Sequence, residues 1–326
     1  MTTDYPILIG SLVFAASIYI GIIVHEFGHL FCGLLSGYTF SSFRVGPFIL
    51  YRENGRLIFD ISSGAGSGQC LMAPPKDPAE FKFILYNMGG VLFNFLFALI
   101  MFIFAPGGFF YITALVNFLL GLINIIPIRS FLLNDGCNLL EAMKSKEAAQ
   151  GLYLVLYANS ETMKGKRYRD FDDDVFITGE EADLGNYFVA YKFIYEAARL
   201  EDMGRYDEFV ELYTRLDLAP LPALISSLVK ADLLYYYSFY NPDYEKAREL
   251  YKDGKLRSLL RLKFPGLFRI LAAYYFFVDG NKEKAVKLMK KAKKSAAKFP
   301  SKGIRTMETE YIQELIEKAK EAHYAR

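Results

Sequence analysis

Cysteine and histidine are scarce in this sequence, and their scarcity limits the chemistry it can carry. Cys32, Cys70 and Cys137 are the only three cysteines, and no Cys-x-x-Cys pair occurs. An odd number at unrelated spacings argues against a disulfide framework or a sulfur-rich structural zinc site, so we interpret them as reduced thiols. A large net charge is also missing, because residues 1–135 sum to −1 and the remainder to +3. The composition therefore gives no indication of a nucleic-acid partner.

Charged residues are rare in the first part of the chain and common in the second. Of the 38 Lys and Arg, 32 follow residue 135, as do 29 of the 36 Asp and Glu. A chain of 326 residues is long enough for two domains. We predict a membrane-embedded domain at residues 1–149, a solvated linker with an acidic run at 150–183, and a second domain at 184–326.

Three apolar stretches are each long enough to cross a hydrocarbon core of about 30 Å as a helix. They are residues 6–35, 82–105 and 109–128. The first lacks the basic leader and the small-residue cleavage site of a signal peptide, so we expect it to stay attached. The sequence thus predicts a multi-pass membrane protein with three spans.

Basic residues predict the orientation of these spans, because cytoplasmic flanks are enriched in Lys and Arg. Arg44, Arg52, Arg56 and Lys76 lie between the first two spans, and Arg129 follows the third. We therefore expect the N-terminus outside the cell membrane and the C-terminal half in the cytoplasm.

The first span contains three ionisable residues in the motif His25-Glu26-Phe27-Gly28-His29. The His-Glu-x-x-His spacing places two imidazoles one helical turn apart on one face, with a carboxylate beside them. Both imidazoles can then bind Zn²⁺ while Glu26 takes a proton from water. The alternative is that these groups pair with neighbouring helices, but polar groups at membrane depth are costly and usually mark function.

A catalytic zinc usually has three protein ligands, so one more is needed. Asp135, after the third span, is the candidate, and its alternative role is the N-cap of a helix starting at Gly136. Cys32, seven residues after His25, and Cys137, two after Asp135, are alternative thiolate ligands. A sulfur-rich site would close the open position that catalysis requires, and small packing residues are the simpler interpretation.

Together these residues resemble the site-2 protease family of intramembrane metalloproteases over residues 5 to about 145. The marks are His-Glu-x-x-His, then Gly89-Gly90 followed by Asn94, then Asn124-Ile125-Ile126-Pro127 followed by Asp135-Gly136. Two features depart from the family pattern: Pro127 and Asp135 are further apart than usual, and Asn134 replaces the usual Leu.

The resemblance implies one zinc ion per chain and a role for each matching residue. The metal ligands would be His25, His29 and Asp135, the general base Glu26, and the substrate-binding residues Asn94 and Asn124. The Asn side chains have an alternative role in hydrogen bonding between helices.

Between the first two spans the sequence predicts a β-hairpin at about 43–62. The runs 43–51 and 56–62 are β-type and are joined by Glu53-Asn54-Gly55, a strong hairpin signal. The resemblance implies a membrane-dipping β element whose exposed edge pairs with an extended substrate. The glycine-rich residues 64–69 are expected to be flexible, either with a gating or substrate-lining role or as a plain connector.

A turn followed by an amphipathic helix recurs every 38 residues in the second half, with turns at Gly204, Asn241-Pro242 and Gly280. Stacked helical hairpins of this kind form an α-solenoid, and these resemble tetratricopeptide repeats. Such a domain can bind a cytosolic protein or peptide partner, or it can serve only to stabilise the enzyme.

The predicted fold is therefore mainly α: a polytopic membrane helical core of three spans with a β-hairpin insertion, followed by a cytosolic α-solenoid. The predicted activity is that of an intramembrane zinc metalloendopeptidase acting on membrane-spanning or membrane-inserted substrates. It would serve regulated intramembrane proteolysis or precursor and signal-peptide processing. A catalytically silent membrane scaffold is the alternative. A metal transporter is disfavoured, because the polar groups cluster at one depth.

Overall fold

The computed structural model of the chain describes residues 4–53, 55–61, 68–104, 107–128, 133–176 and 182–324. These residues form two compact units, one within residues 1–149 and the other within residues 150–326. Most of the described residues are helical, which confirms the predicted fold class.

Among the described residues of the first unit, three helices are long and apolar enough to cross a membrane, as predicted. They are α1 (Asp4–Leu35), α2 (Phe83–Phe104) and α3 (Gly108–Ile125). Each lies within three residues of its predicted bounds. The third is shorter than expected because Pro127 disfavours helical geometry in the preceding residue, and Ile126 is extended, with ψ 121°.

Helices α1 and α2 approach each other closely at a pair of glycines. A Cβ atom on Gly28 would lie 2.3 Å from the carbonyl oxygen of Gly89, and one on Gly89 would lie 2.4 Å from that of Gly28. Small residues at helix crossings permit such backbone contact in membranes. The crossing lies within the His-Glu-x-x-His motif, so α2 is held directly against it.

A four-stranded antiparallel sheet follows α1, in the order β3-β2-β1-β4. Its strands are β1 (Thr39–Val45), β2 (Phe48–Glu53), β3 (Arg56–Ile61) and β4 (Gly68–Ala73).

The predicted hairpin was only partly right. It corresponds to β2 and β3, but the run 43–51 is not one strand, because Gly46 turns the chain with a φ of 56°. Asn54 and residues 64–67 lie outside the described residues. The expected flexibility of residues 68 and 69 was wrong, since both belong to β4 and pair with β1.

Helices α4 (Asp135–Met143) and α5 (Lys146–Lys164) follow the third span. Most of α5 lies in the predicted linker, where Leu154 and Ala158 are buried together with Phe171 and Phe176. The described part of residues 150–183 is thus packed rather than extended. Residues 177–181 lie outside the described chain, and the boundaries at 150 and 184 stay predictions.

The described part of the second unit continues with eight α-helices. They are α6 (Tyr187–Asp202), α7 (Tyr206–Asp217), α8 (Ala223–Tyr235), α9 (Tyr244–Tyr251), α10 (Gly254–Leu259), α11 (Pro265–Ala273), α12 (Lys282–Ala297) and α13 (Lys302–Tyr324).

The 38-residue period is visible in the geometry of these helices. A π-helical turn extends α8 at Tyr236–Tyr240 and α11 at Tyr274–Val278. The N-caps Asp243 and Asn281 each accept a hydrogen bond from the backbone N–H three residues on. Repeated helical hairpins are therefore present, whereas the likeness to tetratricopeptide repeats stays a prediction.

Four helices of the second unit meet around one buried guanidinium. Arg269 on α11 bonds to Glu308 on α13 at 3.0 Å and lies 3.7 Å from Glu201 on α6. It also stacks over the rings of Tyr235 on α8 and Tyr311 on α13. Burial raises the pKa of the Glu201 carboxyl to about 7, although Arg269 acts in the opposite direction. A peptide partner of the repeats would have to bind elsewhere on this unit or separate these contacts.

Candidate metal centre

Helix α1 places His25 and His29 one turn apart on the face covered by α2. The two Nε2 atoms lie 3.2 Å apart, and the residues are 9% and 7% exposed. Both imidazoles therefore point into one buried space within the membrane unit, as the motif predicts.

Asp135, the first residue of α4, completes the group. Its Oδ2 lies 2.9 Å from Nε2 of His25 and 3.3 Å from Nε2 of His29. These three residues are the one group of His, Cys, Asp or Glu among the described residues with metal-ligand spacing. Neither Cys32 nor Cys137 belongs to it.

The N-cap of α4 is Asn134, so the alternative role considered for Asp135 was wrong. The Asn134 side chain accepts from the backbone N–H of Cys137, and its amide donates to the carbonyls of Ile123 and Ile126 at 2.7 Å each. Asn134, which departs from the family pattern, thus links the start of α4 to the end of α3 by hydrogen bonds. This leaves the Asp135 carboxylate directed towards the histidines.

Hydrogen bonds from the far ring nitrogens fix the tautomers of both histidines. Nδ1 of His29 lies 2.8 Å from the backbone carbonyl of Tyr86, and Nδ1 of His25 lies 2.7 Å from Oδ1 of Asn94. The Asn94 amide nitrogen donates to Gly21 O and Asn117 Oδ1, so its oxygen must be the acceptor from His25. Each Nδ1 is therefore protonated, and each Nε2 of a neutral imidazole carries a lone pair.

When both imidazoles are neutral, two Nε2 lone pairs and a carboxylate oxygen converge on one space. Asp135 Oδ2 is buried and has no hydrogen-bond partner among the described residues. Burying such a group is unfavourable unless a cation neutralises it. Two histidines and one carboxylate are a ligand set of catalytic zinc sites, and Nδ1–H bonds to carbonyls orient such histidines. The residues present therefore fit Zn²⁺.

Gly90 keeps the space beside the imidazoles open. A Cβ atom at this position would lie 2.6 Å from Nε2 of His25 and of His29. Gly89 therefore permits the helix crossing, and Gly90 leaves space beside the candidate metal ligands.

Strand β4 lies directly against Glu26. The backbone N–H of Cys70 donates to the Glu26 carboxylate, and a Cβ atom on Gly68 would lie 2.3 Å from Oε1 of Glu26. Glu26 itself is 7% exposed. Gly68 was not singled out from the sequence, where it is one of the glycine-rich residues 64–69, and its contact with Glu26 depends on the pairing of β4 with β1.

The two asparagines expected to bind substrate make other contacts. Asn94 is fully buried, and both of its amide hydrogens are used in the helix core. The Asn124 amide donates to Leu120 of its own helix at 3.0 Å. Their roles in substrate binding stay predictions, whereas Asn94 clearly positions His25.

Replacing Asn94 by Leu is expected to weaken zinc binding by about 10–100-fold, because His25 loses the acceptor that orients it. Asn87→Leu is the matched control, since Asn87 is also buried on α2 but bonds to Phe83 of its own helix. Zinc affinity is measured by competition with a chelator, and thermal unfolding checks the fold. Equal affinities in the two variants would contradict this role.

A match to a known protein family agrees with the geometry of the candidate metal centre. Residues 13–107 match the model of peptidase family M50, a range that contains His25, Glu26, His29 and Asn94 but ends before Asp135. No curated protein and no solved structure matched the chain. Over these residues the first unit is similar to peptidase family M50, which agrees with the resemblance of its motifs to the site-2 protease family.

Proposed function

We propose that the chain is an intramembrane zinc metalloendopeptidase that hydrolyses peptide bonds of membrane-spanning or membrane-inserted substrates. The observation that carries the proposal is the convergence of His25, His29 and Asp135, with Glu26 next to them, on helices long enough to span a membrane. The family match supports the same activity.

The residues of the site have separate roles in the proposed hydrolysis. Bound zinc would polarise the scissile carbonyl and lower the pKa of the attacking water. Glu26 accepts a proton from that water and later delivers it to the departing amide nitrogen. His25, His29 and Asp135 would hold the metal, while Asn94 and the Tyr86 carbonyl fix the imidazole rings.

The sheet is suited to presenting an extended peptide. A helix hides its carbonyls, so a membrane-spanning substrate must unwind before water can reach one. Of the two sheet edges, β4 lies beside Glu26, whereas β3 exposes Leu57, Phe59 and Ile61. We therefore assign substrate pairing to the β4 side and lipid contact to β3.

The setting of the reaction follows from the charge distribution. The Lys and Arg bias around the spans supports a cell-membrane protein with its N-terminus outside and its second unit in the cytoplasm. There the helical repeats are available to a protein or peptide partner. Substrates would be single-span proteins, precursor peptides or signal-peptide remnants. The intact Glu26 weighs against the silent-scaffold alternative.

Removal of zinc tests the proposed activity. Purified protein in lipid nanodiscs is expected to cleave a single-span test substrate within or near its apolar segment, because Glu26 lies on a span. A strong chelator should abolish cleavage, and stoichiometric Zn²⁺ should restore it. The fragments are identified by mass spectrometry. Cleavage that persists in the metal-free protein would contradict the proposal.

Replacing Gly68 by Ala tests the contact between β4 and Glu26. The new methyl group would force the strand or the carboxylate to move, and a displacement of about 1 Å at a reacting group costs on the order of 100-fold in rate. Zinc content should stay at one per chain, because no ligand is on β4. Gly10→Ala is the control, since a Cβ there meets nothing within 4 Å. Full activity of the Gly68 variant would refute the placement.

A further inference from the structure

Helix α12 has one side composed almost entirely of lysine. Its buried side consists of Ala285, Leu288, Met289, Ala292 and Ala296. The exposed side carries Lys284, Lys287, Lys290, Lys291, Lys293 and Lys294, and Lys298 continues it beyond the helix. We refer to these seven residues as the lysine face. Apart from them, only Glu283, Val286 and Ala297 are exposed on this helix.

Acidic residues are few in the chain from α10 to the start of α13. Residues 254–306 contain 15 Lys and Arg but only two acidic residues, Asp279 and Glu283. Glu283 pairs with Lys287 at 2.5 Å, and Lys284 lies over the Tyr275 ring.

The other members of the lysine face differ in their surroundings. Lys293 lines a groove with glutamates of α13, including Glu310 and Glu314. Within the described part of the chain, the side chains of Lys290, Lys291, Lys294 and Lys298 make no ion pair or hydrogen bond. Like charges this close repel one another, so the face favours an anionic partner.

We propose that the lysine face of α12 binds the anionic phospholipid surface of the membrane in which the chain's own spans lie. Clusters of this size on one helix face are attracted to negatively charged headgroups. The spans anchor the chain in the bilayer, so the second unit stays close to the membrane. The lipid surface is therefore present at a high effective concentration around the lysine face.

The chemistry of the face favours a lipid surface over a nucleic acid. Between Lys282 and Lys298 there is no arginine for bidentate phosphate recognition and no aromatic ring for base stacking. Lysine ammonium groups act as point charges, which suits a diffuse array of headgroups. Val286, 43% exposed, is the single large apolar side chain exposed on the described helix. The helix therefore rests on the headgroups by electrostatic attraction rather than by insertion.

Trace acylation of lysines in the full-length protein tests the proposal. The protein is compared in nanodiscs of phosphatidylcholine alone and of phosphatidylcholine with phosphatidylglycerol, and labelling is quantified by mass spectrometry. Lys287 and Lys252 are a matched pair, with side chains 69% and 73% exposed and one glutamate partner each at 2.5 Å. Only Lys287 belongs to the lysine face.

In anionic discs Lys287, Lys291 and Lys294 are expected to react roughly fivefold more slowly than in neutral discs, with Lys252 unchanged. About 1 M salt should remove the difference, because it shortens the screening length to about 3 Å. The triple variant K290E/K291E/K294E should abolish the protection of Lys287, and K252E/K255E should preserve it. These positions are exposed, so the fold should tolerate the changes.

Three results would overturn the proposal. Equal labelling of the lysine face in both discs excludes lipid binding. Equal protection of Lys252 shows a nonspecific effect of the anionic surface. Protection that appears only when a polynucleotide is added to neutral discs assigns the face to nucleic acid instead.

Discussion

Replacing Glu26 by Gln is expected to slow peptide hydrolysis by roughly 10²–10⁴-fold while one zinc stays bound per chain. The amide has nearly the same shape as the carboxylate but cannot accept a proton from water. Glu26 is also outside the group of three residues with metal-ligand spacing, so its loss leaves the ligands intact. Single-turnover cleavage and metal analysis measure the two effects separately.

Glu80→Gln is the control for this variant, because it makes the same chemical change at an exposed position of the membrane unit. It should retain wild-type activity and zinc. If the Glu26 variant cleaves at the wild-type rate, Glu26 is not the general base. If neither the wild type nor the control cleaves any membrane-inserted substrate, the silent-scaffold alternative gains support. The inactive Glu26 variant should also retain uncut substrate for identification.

Replacing Asp135 by Ala is expected to reduce zinc affinity by on the order of 100-fold or more, with a matching loss of activity. The variant removes the single anionic ligand and leaves two imidazoles to hold the ion. Titration with a competing chelator measures the affinity. Because Asn134 rather than Asp135 caps α4, the helix should still form.

Cys137→Ala is the matched variant, because it tests whether the Cys137 thiol rather than the Asp135 carboxylate is the third metal ligand. Cys137 is buried on α4 two residues after Asp135, but it lies outside the described metal-ligand group. Its loss should leave zinc affinity unchanged. The opposite pattern, with zinc lost from the Cys137 variant and kept by the Asp135 variant, would transfer the ligand role to the thiol.

Features that depend on local sequence were predictable. The position of His25 and His29 on one face follows from helical geometry alone, and the spans follow from length and apolarity. Asp135 was also singled out from the sequence, because an ionisable residue after a span has few alternative roles, and it lies beside both histidines. Its geometry was not predictable, since it depends on the bonds that Asn134 makes to a separate helix.

Features that depend on long-range packing were missed. The sequence predicted a two-stranded hairpin, whereas the structure has a four-stranded sheet, because Gly46 turns the chain within a continuous β-type run. Nothing in the local sequence distinguishes this glycine from one within a strand. The placement of Gly68 against Glu26 joins residues 42 positions apart through the pairing of β4 with β1. The buried Arg269 cluster likewise assembles from helices whose sequences show only an aromatic-rich repeat.

X-ray absorption at the zinc edge of the purified wild-type protein is the most direct test of the metal centre. The account predicts one zinc per chain surrounded by nitrogen and oxygen at about 2.0–2.2 Å, including imidazole scattering from two histidines. A sulfur neighbour at about 2.3 Å, or a protein that binds no zinc while cleaving its substrate, would contradict the assignment of His25, His29 and Asp135.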